Sequence, residues 1–242
     1  EGKVYGTDPN ARPYDKLHAC LKHYALYGAA ESGRDYNTTD MSENRMFNEY
    51  LLPYQMAVEA SVGSVMTSFN DINGTPATAN SWLQNDILRK KWNFDGFIVT
   101  DYGAIKEMKA HGLGGDDGVT ERAMNATVDM DMCSELYISQ LESLLEQKRV
   151  SQKQIDDACR RILQAKYRLG LFDDPYRYND KERGEKEMFK AENREAARKI
   201  TASTFVLLKN ENDLLPLAKK GKIALIGPMA NNQSQLRGTW SV

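Results

Sequence analysis

GFIVTDYGA, residues 96–104, is the stretch that decides the fold. Three apolar residues, Phe97 to Val99, follow Gly96, and the run ends in Thr100 and the acid Asp101. A short apolar run after a turn residue is typical of a strand buried on both faces, as in a parallel sheet. In parallel α/β folds the carboxyl ends of the strands carry the active site. Asp101 is therefore either a reactive acid at a strand end or a cap for a helix that begins near Ala104.

Strand and helix patterns alternate over the first 170 residues, which indicates an α/β fold with a parallel sheet and helical crossovers. The predicted strands are 20–25, 63–69, 96–101 and 127–132. The predicted helices are 43–60 with a break at Pro53, 81–91 behind a Ser81–Gln84 capping box, 119–126, 137–147, and 151–169 behind a Ser151–Gln154 capping box. A full eight-stranded barrel needs about 250 residues. The pattern thus fits either a small open sheet or the later half of a barrel.

A second unit is predicted beyond a polar, turn-rich linker at 173–187. A helical pattern near 188–200 leads to two apolar runs, 204–210 and 222–228, and each run predicts a central strand. This unit has hardly begun when the sequence reaches Val242. We therefore expect the chain to be a fragment of a longer protein.

Composition excludes several classes of function. The chain has 242 residues and a net charge of -2, without the basic patch that nucleic acid or an anionic membrane would require. It contains no apolar run of 18 residues and no signal-peptide pattern. The three cysteines, Cys20, Cys133 and Cys159, have no regular spacing and are predicted to be buried free thiols. No zinc-ligand spacing occurs, so no metal site is expected.

Polar residues stand at the ends of three successive predicted strands, so their side chains are expected to converge. They are Lys22 and His23, then Ser68, Phe69 and Asn70, then Asp101 and Tyr102. Each has an ordinary alternative when taken alone. His23 suits a structural histidine, Lys22 a solvated cation, and Met66 and Phe69 the core. Their convergence favours a pocket more than any single residue does.

Five blocks of sequence, in order, resemble glycoside hydrolase family 3 and most of all its bacterial β-glucosidases. The blocks are KHYALYG, GRDYN, GSVMTSFNDINGTPATANSWLQNDILR, GFIVTDYGAI, and LLKN…LPL…IALIGP. The likeness runs from about Leu17 to Ser241. It implies the second half of a TIM-like (β/α)8 barrel as catalytic domain over 1–172. The linker 173–187 and the beginning of an α/β sandwich domain over 188–242 would follow.

The resemblance also assigns roles to individual residues. It implies a retaining, exo-acting hydrolase that removes terminal β-D-glucosyl residues with Asp101 as nucleophile. It places Lys22 and His23 on the hydroxyls of the bound sugar and Met66 and Phe69 along the same subsite. Tyr102 stands where many members have tryptophan, and Phe69 where many have tyrosine. We also expect Arg34 of GRDYN to reach the site.

The acid/base residue is expected outside this chain. In the β-glucosidase branch it is a glutamate of the second domain, beyond Val242. The N-acetylglucosaminidase branch uses a histidine in the loop after the Lys-His strand, and YGAAESGRDYN contains no histidine. A nearby cation would keep Asp101 ionised, and Lys22 is the expected candidate. Lys22 and His23 are neighbours, so they share a pocket only if regular pleating ends there.

The expected substrate is a small oligosaccharide or an aryl or alkyl β-glucoside. No cofactor is expected, because two carboxyl groups suffice for this chemistry. The other expected partners are the remaining parts of the same enzyme, with a homodimer left open, and a periplasmic or secreted location is expected. The alternatives are a β-xylosidase or another exo-acting family member, a non-catalytic carbohydrate-binding fragment, and an unrelated α/β domain in which Asp101 caps a helix.

Overall fold

The computed structural model of the protein describes residues 18–237. The chain divides into two compact units, Glu1–Asp180 and Lys181–Val242. The point of division lies inside the segment 173–187, for which the sequence predicts a linker. Within that segment the structure has a helix, α7, at Lys181–Glu187.

The first unit is α/β, as predicted. Its strands are β1 Cys20–Tyr24, β2 Ser64–Thr67, β3 Asp71–Ile72, β4 Thr75–Pro76 and β5 Phe97–Val99. Its α-helices are α1 Glu43–Arg45, α2 Leu52–Glu59, α3 Ala104–Glu107, α4 Asp116–Asn125, α5 Leu136–Glu146 and α6 Gln152–Arg168. Met46–Tyr50 and Trp82–Lys91 are π-helical, and short 3-10 turns occupy Tyr27–Ala29, Glu31–Gly33, Ala77–Ala79 and Met108–His111.

A parallel sheet in the order β1-β2-β5 forms the centre of this unit. Ser64 of β2 lies opposite Cys20 on one side and Phe97 on the other. All three strands therefore end at the same edge, which brings the residues after them together. The hairpin β3-β4 follows β2 and is antiparallel.

The predicted strand 127–132 is reduced to a single bridge between Met130 and Val99. The reason lies in its two acids. The carboxylate of Asp131 accepts the backbone N–H of Leu136 at 2.9 Å, so it caps α5. The carboxylate of Asp129 accepts the N–H of Ile98 at 2.7 Å, so it fills a ladder position of β5. Backbone pairing remains only around the bridge, where Met130 donates to the carbonyl of Ile98 and accepts the N–H of Thr100. The side chains of the two acids bind the other N–H groups.

Asp129 also holds the sheet to two surrounding helices. Its buried carboxylate pairs with Arg161 of α6 at 2.7 Å and with Arg89 of the Trp82–Lys91 helix. Burial lowers the pKa of Arg89 to about 10, which still leaves the guanidinium charged at neutral pH. The charges are thus paired rather than isolated in the core, as buried charges must be.

Two helix starts differ in how well the sequence predicted them. The Ser151–Gln154 capping box is confirmed, with both reciprocal hydrogen bonds present. The Ser81–Gln84 box is wrong, because Asn80 provides the cap and its side chain accepts the N–H of Leu83 at 3.0 Å. Gln84 is buried instead and donates to the carbonyl of Ala77 at 2.9 Å.

The cysteine prediction is also wrong, since Cys20, Cys133 and Cys159 are all exposed. On α6 the residue that packs inward is Ala158, which is 6% exposed. The buried face is therefore rotated by one residue from the predicted face, which included Cys159. Small alanine side chains allow close helix packing but give little hydrophobic signal in a sequence.

The second unit contains α7 and α8, the latter at Ala191–Ser203. The predicted strands 204–210 and 222–228 are wrong as far as residues 181–237 go, because neither run forms a strand there. Leu208 is 91% and Ile226 88% exposed. A strand needs a neighbour for its backbone hydrogen bonds, and these runs pair with no other strand in the described part of the chain.

Candidate active site

The carboxylate of Asp101 faces the imidazole of His23 across the carboxyl edge of the sheet. Asp101 Oδ2 lies 3.1 Å from His23 Nε2, with the two side chains 17% and 27% exposed. Oδ1 of the same carboxylate accepts the backbone N–H of Tyr102 at 2.7 Å. A backbone N–H thus holds one oxygen of the carboxylate, and the imidazole of His23 in β1 contacts the other.

The alternative role of Asp101 as a helix cap does not fit this geometry. The residue that precedes α3 is Gly103, whose φ of 69° is left-handed, and no side chain caps the helix. The backbone carbonyl of Asp101, and not its carboxylate, accepts the N–H of Ala104. The carboxylate therefore remains available on the side of His23.

Regular pairing of β1 is interrupted where Lys22 and His23 stand. The register with β2 shifts between Leu21 and Tyr24, and the Lys22–His23 peptide bond is cis. The register shift is the departure from regular pleating that the two neighbours need in order to share a pocket. The backbone carbonyl of His23 accepts the hydroxyl of Tyr54 at 2.6 Å, which fixes it from α2.

The other predicted residues differ in their exposure. Met66 lies opposite Val99 in the sheet, and both Met66 and Phe69 are half-buried. Lys22 is exposed, and Tyr102 is 68% exposed. Arg34 is exposed in the segment after β1. Lys22 was the cation expected beside Asp101, but the side chain that the structure places against the carboxylate is that of His23.

A wall of three aromatic rings borders His23, and sequence reasoning singled out only one of them. The ring of Tyr27 meets His23 edge to face at 5.5 Å between centroids and lies 6.2 Å from Phe69. The ring of Tyr36 lies 4.6 Å from Phe69 and 6.5 Å from Tyr27. Tyr27 and Tyr36 stand in YGAAESGRDYN, and their place directly after the Lys-His strand was the signal that could have found them.

Burial and neighbouring charges shift the pKa values of two groups at the site, His23 and Glu107. Burial lowers the pKa of His23 below its ordinary value of 6.5, while the charge on Asp101 raises it, Lys22 lowers it and Asp35 raises it. Because the first effect is the largest, His23 is mainly neutral at pH 7 and its Nε2–H can donate to Asp101. Burial, followed by the charge on Asp101, raises the pKa of Glu107.

Two searches of the described residues concern metal ligands and membrane-spanning helices. Across 18–237, no group of three or more histidine, cysteine, aspartate or glutamate side chains is placed to hold one. A search of the same residues found no helix both long and apolar enough to cross a membrane.

Comparison with known proteins identifies the family of the chain. Residues 7–165 match the glycosyl hydrolase family 3 N terminal domain, and residues 205–242 match the family 3 C-terminal domain. A periplasmic beta-glucosidase of Salmonella typhimurium is 44% identical over 225 residues, which is 91% of this chain and 29% of that protein. A beta-xylosidase of Formosa agariphila is 37% identical over 245 residues, 95% of this chain and 33% of that protein.

Comparison with solved structures supports the same family. The beta-glucosidase of Listeria innocua in complex with glucose superposes with a TM-score of 0.83 at 42% identity, over 92% of this chain and 31% of that one. A mutant of the same enzyme in complex with laminaribiose gives a TM-score of 0.85 at 40% identity, over 97% and 33%. The chain spans about a third of the length of these relatives. It belongs to glycosyl hydrolase family 3.

Proposed function

We propose that this chain carries the nucleophile of a retaining, exo-acting β-glucosidase that removes terminal β-D-glucosyl residues. The observation that carries the proposal is the contact of 3.1 Å between Asp101 and His23 at the carboxyl edge of the parallel sheet. The names of the Salmonella and Listeria relatives support a glucoside as substrate. The periplasmic name of the former supports a periplasmic or secreted location.

In the first step, a carboxylate oxygen of Asp101 attacks the anomeric carbon while the bond from that carbon to the leaving oxygen breaks. A covalent glycosyl ester on Asp101 results, and water hydrolyses it in the second step. A second carboxyl group must donate a proton to the leaving oxygen in the first step and take a proton from the attacking water in the second. We assign that role to a glutamate outside residues 1–242.

The neighbours of Asp101 would orient the sugar and hold the attacking oxygen. The Nε2–H of neutral His23 and the N–H of Tyr102 would each hold one oxygen of the carboxylate. Lys22, an exposed neighbour of His23 in the chain, would donate to sugar hydroxyls. Met66 and Phe69 would supply apolar contact for the CH face of the ring.

Hydrolysis of nitrophenyl β-D-glucoside by the full-length protein, with and without Asp101→Asn, tests the proposal. The amide keeps the size of the side chain and removes the nucleophile. We expect the rate to fall by about a thousandfold or more, roughly 4 kcal/mol of barrier. A loss of less than about tenfold, roughly 1.4 kcal/mol, would show that another group attacks.

A β-xylosidase is the second candidate, because the Formosa relative at 37% identity carries that name. Glucose and xylose differ only by the hydroxymethyl group at C5, so the two substrates test one small part of the pocket. The ratio of kcat/KM for nitrophenyl glucoside and xyloside chooses between them. No hydrolysis of either, together with binding of sugar, would identify a non-catalytic carbohydrate-binding protein.

A further inference from the structure

Tyr36 is an exposed aromatic ring fixed against the wall of the site. Its ring lies 4.6 Å from Phe69, at an angle of 43°, and is 47% exposed. It also meets Tyr27, the ring that borders His23, at 6.5 Å. One side of the ring is thus supported by aromatic neighbours, and a large part of the rest is open to solvent.

Tyr36 stands at a left-handed turn of the backbone. Its φ is 64°, in the left-handed region that bulky residues rarely adopt. The carboxylate of Asp35 accepts the N–H of Tyr36 at 3.1 Å, which supports the turn.

Exposure increases in steps from the nucleophile to Tyr36. The side chain of Asp101 is 17% exposed, Phe69 is half-buried, and Tyr36 is 47% exposed. Burial, followed by the charges on Glu107, Asp35 and Asp101, raises the pKa of the Tyr36 hydroxyl. Tyr36 thus lies at the rim, one layer outside the residues that would hold the terminal sugar.

We propose that Tyr36 is the platform for the sugar ring attached to the terminal glucosyl residue, and so determines the preference for oligosaccharides over simple alkyl glucosides. The inference rests on the proposed function. A pyranose presents a face of CH groups that packs on an aromatic ring, and aromatic side chains supply large contact area at low entropic cost. The rim position suits the second sugar, since the first must reach Asp101.

The test compares two substrates of the full-length enzyme. Methyl β-D-glucoside has no second ring, whereas a glucosyl disaccharide has one; the fastest of the β-1,3, β-1,4 and β-1,6 disaccharides is used. The kcat/KM for the disaccharide is divided by the kcat/KM for methyl β-D-glucoside. This ratio is measured for the unmodified enzyme and for Tyr36→Phe, Tyr36→Leu and Tyr36→Ala. The ratio does not depend on the fraction of active enzyme, so a poorly folding variant does not distort it.

We expect the ratio in Tyr36→Ala and Tyr36→Leu to fall about tenfold, and in Tyr36→Phe to stay within about threefold, because phenylalanine keeps the ring. An unchanged ratio in Tyr36→Ala and Tyr36→Leu overturns the inference, even if both rates fall together. Failure of the unmodified enzyme to hydrolyse either glucoside would instead overturn the proposed function. The two failures are therefore distinguishable.

Discussion

Oδ2 of Asp101 and Nε2 of His23 lie 3.1 Å apart, although 78 positions of sequence separate the two residues. The parallel pairing of β1 and β5 with β2 produces this contact, because it brings the ends of both outer strands to one edge. The proposed reaction depends on this contact, and the contact depends on the packing that holds the sheet.

Replacement of His23 by alanine should lower kcat/KM for nitrophenyl glucoside by about a hundredfold. The variant removes the side chain that holds the attacking oxygen in place, and loss of such positioning can cost about a hundredfold in rate. The matched control is His111→Ala, since His111 pairs with Asp71 at 3.0 Å and not with Asp101. We expect less than about a threefold change in the control. Equal losses in both variants would contradict the role given to His23.

The imidazole of His23 should titrate below pH 6.5, because burial lowers its pKa. Asp101→Asn should move the midpoint lower still, since the charge on Asp101 raises that pKa. The unfolded chain binds a proton at His23 more readily than the folded chain. This residue therefore reduces the free energy of unfolding as pH falls below 6.5, and not above it. NMR titration of the His23 ring measures both midpoints, and a rise in the asparagine variant would refute the assignment.

Asp129→Asn should destabilise the protein by about 3–5 kcal/mol, because it leaves the buried guanidinium of Arg89 without its charged partner. The control is Asp86→Asn, which breaks an exposed ion pair with Lys90 and should cost less than about 1 kcal/mol. Chemical denaturation of both variants gives the comparison. Similar midpoints would mean that the buried pair does not hold the sheet to its helices.

Asn80→Ala should cost about 1 kcal/mol of unfolding free energy, since it removes the cap of the helix at Trp82–Lys91. Ser81→Ala should change stability by less than about 0.5 kcal/mol, because Ser81 makes no side-chain cap. Denaturant midpoints of the two neighbouring variants separate these roles. A larger loss for Ser81→Ala would restore the capping box that the sequence predicted.

Strand positions were predictable where an apolar run is short and bounded, as at Phe97–Val99, and where the run ends in a polar pair, as at Lys22 and His23. The alternating pattern of 127–132 gives a single bridge to β5 and not a full strand, and its two acids bind backbone N–H groups and, in the case of Asp129, two arginines. The same kind of side-chain bond moved the helix cap from Ser81 to Asn80. Periodicity reports exposure and does not report such bonds.

The nucleophile candidate was predictable from its strand, but its partner was not. Lys22 carries the permanent charge, so it was the expected partner, yet the break in the register of β1 turns His23 toward Asp101. The aromatic wall was missed for a different reason. Tyr27 and Tyr36 lie in an irregular segment without periodicity, and only the folded chain brings them to Phe69.

Covalent trapping tests the assignment of the nucleophile most directly. A 2-fluoro-2-deoxy-β-glucoside with a good leaving group should inactivate the full-length enzyme by forming a stable glycosyl ester, because the fluorine slows the second step more than the first. Digestion and mass spectrometry should then place the sugar on Asp101, within the peptide that contains 96–104. A sugar found on any peptide outside that stretch would contradict the role of Asp101.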